Sequence, residues 1–317
     1  MLTIPKAPAW LVVQDLGWTG HRRIGLPPGG AIDRHALAVA NLLVGNPPGA
    51  AALEWALGPG TLRFERPARF ALAGADTTAT LSGHPVAMHT THSAEVGNEL
   101  TVSAITGGRF VYLAVDGGID VPAVLGARST YLRGGFGGLH GRRVRAGDYL
   151  RLGGAGASPP AGFRAPDELL PAYGAARLRI MPGPQVELFG PDQRAVLSSH
   201  PWRVSAASDR MGYRLEGPPI HPRVAASLAS EAACPGAVQV PDGGAPIILM
   251  ADGPTVGGYP KLAVVAEVDL PVLAQRSPGE EVWFDWIEVS EAQRLYRRRA
   301  IQLHTLMSLV SAAVAAG

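Results

Sequence analysis

The sequence predicts a mainly β fold, and three observations predict it. Forty Gly and 28 Pro punctuate the 317 residues, hydrophobic residues make up 47% of the chain while aromatics make up 6%, and the apolar runs are short and end at Gly, Pro or Asp. Glycine costs backbone entropy and proline removes a donor, so a chain interrupted this often favours short strands and tight turns over long helices. Its length is about twice the ~150 residues usual for one domain, which makes two strand-rich cores the expected organisation.

Trp10 to Gln14 reads as a first strand, followed by a Gly- and Pro-rich loop from Asp15 to Gly30. Asp33 is placed to cap a helix, because Ala36, Leu37, Ala40, Leu43 and Val44 follow with helical spacing until Gly45 stops it before Pro47 and Pro48. Short strands are predicted at Ala51 to Ala56, Thr61 to Phe64, Ala68 to Ala73, Thr77 to Leu81, Glu99 to Val102 and Arg109 to Val115, a spacing that suits a barrel or sandwich. Arg145 to Leu152 reads as a turn into a closing strand. The predicted organisation is a first domain at 1–154, a Gly/Ala/Pro-rich linker at 155–175, a second strand-rich domain at 176–289 and a C-terminal amphipathic helix at 290–317, opened by the capping pattern of Ser290 and Gln293.

A formal charge of +2 with scattered arginines gives no electrostatic footprint for nucleic acid or for an acidic membrane surface. The first ten residues lack an apolar core of signal-peptide length, no run of about 18 uncharged apolar residues stands out, and the lone Cys234 allows no intrachain disulfide; a cytoplasmic protein is expected. Cys234 has no recognisable base partner, no GxSxG elbow occurs, and no metal site is predicted, since His84, His89 and His92 lack carboxylates to complete a set. A phosphate loop needs Gly-Lys-Ser/Thr, and the only lysines, Lys6 and Lys261, fit no such loop. The run Gly134-Gly135-Phe136-Gly137-Gly138 misses the spacing of a dinucleotide turn.

Four stretches combine Gly with charged and hydroxyl groups: Asp15 to Asp33, Arg128 to Gly138, Ser208 to Gly217 and Ser230 to Lys261. They contain Val13-Gln14-Asp15-Leu16-Gly17, the run from Pro27 to Asp33, Ser129-Thr130, Ser208-Asp209-Arg210-Met211-Gly212-Tyr213-Arg214, Ser230-Glu231, Gln239-Val240-Pro241 and Asp252 to Pro260. With Asn41 to Asn46 and Gly183-Pro184, these motifs make the chain resemble, from about residue 10 to 290, the family of C-type 5-oxoprolinase subunits, also described as allophanate hydrolase subunit 2, biotin-dependent carboxyltransferase-like or Kip-type antagonist. Trp18, Gly29-Gly30 and Ala232-Ala233-Cys234 depart from the usual pattern.

The resemblance implies two cyclophilin-like β-barrel domains and a role within an ATP-dependent 5-oxoprolinase, converting 5-oxoproline to glutamate together with a Kip-inhibitor-like B-type partner and a LamB/YcsF-like A-type partner. ATP would be shared with, or held by, a partner. On this reading Asp209 and Asp252 are candidate catalytic carboxylates that orient the arginines or act as bases, while Arg128, Arg210 and Arg214 are candidate anion binders, suited by their planar forks. Ser129, Thr130, Gln239, Thr255 and Tyr259 are candidate hydrogen-bond donors to the substrate. Two alternatives accompany it: a carboxyltransferase component acting on urea or a related amide, and a non-catalytic antagonist binding a kinase-inhibitor-like protein. Neither Lys6 nor Lys261 has the flanking methionines of a biotinyl-lysine, so no biotin is expected on this chain.

Overall fold

The structure, a computed structural model, describes residues 1–223 and 228–316. The chain divides into two units, Met1–Gly17 with Asp33–Pro171 and Ala300–Gly317, and Trp18–Ile32 with Ala172–Arg299. The mainly β class and the long C-terminal helix are as the sequence predicts.

In the first unit the strands are β1 (Leu2–Lys6), β2 (Trp10–Gln14), β3 (Ala52–Ala56), β4 (Gly60–Phe64), β5 (Ala68–Leu81), β6 (His84–Pro85), β7 (Thr91–Ala94), β8 (Glu99–Val115) and β9 (Tyr149–Leu150). They form one nine-stranded sheet in the order β2-β3-β8-β4-β1-β9, with β5 paired to β8 and carrying β6 and β7. Every residue of β3 is buried, because both faces of this central strand are covered. The core gathers Leu2, Leu11, Trp55, Phe64, Phe70, Leu100 and Leu113.

Two corrections arise here. β1 precedes the expected first strand, and its Pro5 falls at a register shift, where the missing N–H breaks no regular ladder. The four runs expected at Ala68 to Ala73, Thr77 to Leu81, Glu99 to Val102 and Arg109 to Val115 are two long strands, β5 and β8. The glycines and aspartate that look like turns lie at irregular pairings, Gly74 opposite Val111 and Asp76 opposite Gly107, so the chain bends without ending the strand.

The helix α1 (Arg34–Leu42) forms as predicted: the Asp33 carboxylate accepts from Ala36 N at 2.9 Å, and Gly45 at φ 73° ends it. A Cβ at Gly45 would meet Ala157 O at 2.1 Å, so only glycine allows this approach. Ser158 donates to Val44 O, Thr91 N to Phe163 O and Ala165 N to His89 O. Residues 155–171, read in the sequence as linker, are thus fastened into the first unit. The buried Tyr112 hydroxyl donates to Glu54 Oε2 at 2.7 Å and accepts from Asp33 N at 2.9 Å, tying the sheet to the helix cap. Burial and the two carboxylates hold that phenol well above its ordinary pKa.

The turn into β9 is closed by Arg142, whose guanidinium donates to both oxygens of Asp148 at 2.6 and 2.8 Å. This pairing lowers the Asp148 pKa below the ordinary carboxylate value. A depressed carboxylate contributes stability above the unfolded pKa, about 4, and loses it as pH falls through the lower folded value. Thermal melts from pH 6 to pH 2.5 should therefore show a smaller acid-induced loss for Asp148→Asn than for the wild type; parallel curves would refute this.

In the second unit the strands are β10 (Arg177–Pro182), β11 (Trp202–Val204), β12 (Gly212–Glu216), β13 (Glu231–Ala232), β14 (Ala237–Gln239), β15 (Ile247–Leu249), β16 (Val256–Gly257), β17 (Lys261–Val265) and β18 (Glu281–Trp286), with helices α2 (Pro191–Ser199) and α3 (Leu270–Ala274). Seven strands close a barrel in the order β10-β17-β14-β15-β12-β11-β18, the seam being a parallel pairing of β18 with β10. Closure removes exposed edges. The strands β13 and β16 pair only with each other. Trp18–Ile32 groups with this unit although it precedes α1 in the chain, a placement that no local sequence pattern announces.

The helix α4 (Val289–Ala316) runs 28 residues. Its last part, from Ala300, carries no formal charge but includes Gln302, His304, Thr305, Ser308 and Ser311. By length and composition it is the one helix among the described residues that could cross a membrane. Leu306 and Val310 are buried, and Gln302 donates to Glu168 O, which docks this part of the helix on the first unit.

Candidate functional site

The site is built where β14 and β17 pair. Val238 lies opposite Ala263, but Gln239 lies opposite Lys261, so the strand slips by one residue between the two pairs. Without that slip Gln239 would face Leu262, on the opposite side of the strand; with it, an amide and an ammonium share one face. Both are buried, Gln239 4% and Lys261 3% exposed.

Gln185 organises their surroundings. Its side-chain oxygen accepts from Lys261 N at 3.1 Å, its backbone N donates to Lys261 O at 3.2 Å, and its Nε2 donates to Glu231 Oε1 at 2.6 Å. Lys261 Nζ stands 2.6 Å from the same carboxylate oxygen, as an ion pair lying off the direction of a regular hydrogen bond. Lys261, then Gln185, hold the Glu231 pKa below its ordinary value against the opposing effect of desolvation. The side-chain nitrogen of Gln239 has no hydrogen-bond partner among the described residues. Opposite Glu231 in the β13–β16 pair is Gly257, and a Cβ there would lie 2.7 Å from Gln239 Nε2, so glycine lets the strand lie close against the amide. Thr255 is buried beside this pair, where its carbonyl accepts from Ala233 N, and Tyr259 is 46% exposed.

Arg210, expected as an anion binder, and Asp252, expected to orient the arginines or act as a base, engage each other. The guanidinium donates to both Asp252 oxygens at 2.8 and 2.9 Å and to Gly30 O at 2.5 Å. Gly29 N donates to Ala251 O, and Trp18 packs so closely on Gly29 that a Cβ there would lie 2.6 Å from its ring. This bidentate brace therefore fastens the 18–32 segment to the barrel. Asp209 accepts from Met211 N at 2.8 Å and forms the turn into β12, while the side chain of Arg214 is exposed on that strand.

The remaining predicted residues lie in the first unit. Ser129 Oγ donates to Asp15 Oδ1 at 2.5 Å, Arg128 N donates to Asp15 Oδ2 at 2.5 Å, and Thr130 Oγ1 donates to Val13 O at 2.9 Å. Arg128 Nε donates to Val121 O. These bonds lock 128–130 to the end of β2. The glycine-rich run beyond them is packed in part on its own chain: a Cβ at Gly134 would lie 2.6 Å from the Phe136 ring and one at Gly138 would meet Thr130 Oγ1, while Gly135 is open. A shallow cavity of about 640 Å³, lined by Pro8, Arg142, Arg143 and Arg145, contains none of the predicted site residues. Among the described residues no group of three His, Cys, Asp or Glu could hold a metal ion.

Three residues of the barrel site escape sequence reasoning. There Lys261 enters as the end of a polar stretch and as a biotin acceptor or phosphate-loop lysine to be rejected, Glu231 only within that stretch and its motif, and Gln185 not at all; the available signal is a lone lysine heading the apolar run Lys261–Val265.

The second unit is thus a closed β-barrel with a polar cluster on adjacent strands. Residues 24–286 match the carboxyltransferase domain, subdomain A and B, and the chain belongs to that family. It is 38% identical to the C-type 5-oxoprolinase subunit of Escherichia coli (strain K12), over 96% of this chain and 99% of that protein. It is 31% identical to the urea amidolyase of Lachancea kluyveri, over 94% of this chain but 17% of that protein. The crystal structure of the K. lactis urea amidolyase superposes with a TM-score of 0.88 at 31% identity, covering 96% of this chain and 20% of that one.

Proposed function

We propose that this chain is the C-type component of an ATP-dependent 5-oxoprolinase, acting with LamB/YcsF-like A-type and Kip-inhibitor-like B-type partners to convert 5-oxoproline to glutamate. The observation that carries this reading is the degree of likeness: the chain is 38% identical to a C-type 5-oxoprolinase subunit, against 31% to a urea amidolyase. A five-membered lactam resists water because its amide resonance must be broken, and phosphorylating the lactam oxygen turns it into a good electrophile. The buried, paired Lys261 favours a partner protein as the holder of ATP. This chain would contribute the polar cluster around Lys261, which binds and orients a small acid or amide.

The family match favours a second reading, a carboxyltransferase component supplied by a biotin carrier in trans. Lys261 is too buried to bear a swinging biotin arm itself. Glutamate release from 5-oxoproline and ATP should be measured for this chain, for the A- and B-type partners, and for all three together. Activity is expected only in the full mixture. An assembled but inactive mixture would sink the proposal and turn attention to carboxyl transfer or to a purely antagonistic binding role.

A further inference from the structure

We infer that Lys261 Nζ and Gln239 Nε2 together form a receptor for a substrate carboxylate, which Glu231 caps until the ligand displaces it. The substrate class rests on the reading above; the geometry does not. Two buried donors stand on residues paired across β14 and β17, one cationic and one a neutral amide, and the amide nitrogen has no acceptor among the described residues. Buried donors are almost always satisfied, so an unsatisfied one beside a cation calls for an acceptor from outside the chain. Gly257, having no side chain, admits that nitrogen close to its backbone and offers it no side-chain acceptor.

The site already shows its preference, for the group that meets Lys261 at 2.6 Å is itself a carboxylate. Glu231 is well suited to act as a removable stand-in. It is 43% exposed, so it can return to water, and it sits on a two-residue strand that pairs only with β16, outside the barrel ladder. Lys261 and Gln239 belong to β17 and β14 of the closed barrel and stay in place. One charged and one neutral donor match the two oxygens of a single carboxylate, as in 5-oxoproline; neither can accept a hydrogen bond from a cationic ligand at those nitrogens.

The test is calorimetric binding to the full chain, alone and with its partners, using 5-oxoproline, its uncharged carboxamide, and the open-chain acid glutarate. Both acids should bind at least about tenfold more tightly than the carboxamide, in line with a charged hydrogen bond. Lys261→Met and Gln239→Leu should each weaken acid binding about tenfold and erase the preference over the carboxamide, with circular dichroism reporting that the barrel is intact. Glu231→Gln, a near-isosteric change at an exposed side chain, should strengthen acid binding by removing the competitor.

Equal binding of acid and carboxamide by the wild type, unchanged acid binding by Lys261→Met, weakened binding by Glu231→Gln, or no acid binding in any form would overturn the receptor. Lys261-dependent acid binding without glutamate production by the full mixture would keep the receptor and remove the 5-oxoprolinase reading. Turnover with a KM for 5-oxoproline unmoved by Lys261→Met would do the reverse.

Discussion

Replacing Arg210 with alanine is expected to destabilise the second unit by about 3–5 kcal/mol, the range for removing one partner of a buried ion pair. The Asp252 carboxylate would lose both of its guanidinium hydrogen bonds while remaining mostly shielded from water, and Gly30 O would lose its donor. The effect should concentrate in 18–32, since the same brace holds that segment on the barrel. Hydrogen exchange is the decisive measurement: amides of 18–32 should lose protection well before those of β14 and β17. The double variant Arg210→Met/Asp252→Leu should be less damaged than Arg210→Ala, because it leaves no charge stranded. If the single variant melts like the wild type, the pair is not a brace, and the anion-binding role expected for Arg210 regains ground.

Trp55→Ala is expected to cost about 3–5 kcal/mol in the first unit, the range for emptying a large aromatic site in a close-packed core. Trp55 is fully buried on β3, its indole N–H donates to Gly58 O at 3.1 Å, and Gly60 lies so close that a Cβ there would be 2.6 Å from the ring. The surroundings therefore have little freedom to collapse into the space left behind. Denaturant unfolding followed by hydrogen exchange in β3 and β8 checks this, and a loss below about 1 kcal/mol would mean that the cavity refills.

Much of the architecture is legible in the sequence because its causes are local. Asp33 at the head of an apolar 3.6-residue pattern and Gly45 at its end specify α1, and Trp10 to Gln14 is a strand with the predicted bounds. The long strands are not, because Gly74, Asp76 and Gly107 look the same in sequence whether they end a strand or bend it; the choice is made by the partner strand. The candidate site is legible as motifs but not as roles. Arg210 and Asp252 carry the residue types of an anion site, and an aspartate orienting an arginine is among the sequence readings, yet their 42-residue separation leaves open which aspartate meets which arginine. Arg128, Ser129 and Thr130 are taken up by Asp15, Val121 and Val13. The cluster around Lys261 depends on a one-residue slip between two strands, which no local pattern announces.

The membership of Trp18–Ile32 in the second unit bears on the order in which this protein is made. That segment leaves the ribosome early, but the Arg210–Asp252 brace that receives it is encoded some 200 residues later, and the seam of the barrel cannot zip until β18 has emerged. For most of synthesis a buried tryptophan of the finished protein is therefore without its berth. Non-local closure of this kind slows folding and lengthens the exposure of apolar surface, so truncation before residue 286 should yield chains that aggregate rather than a free-standing first half.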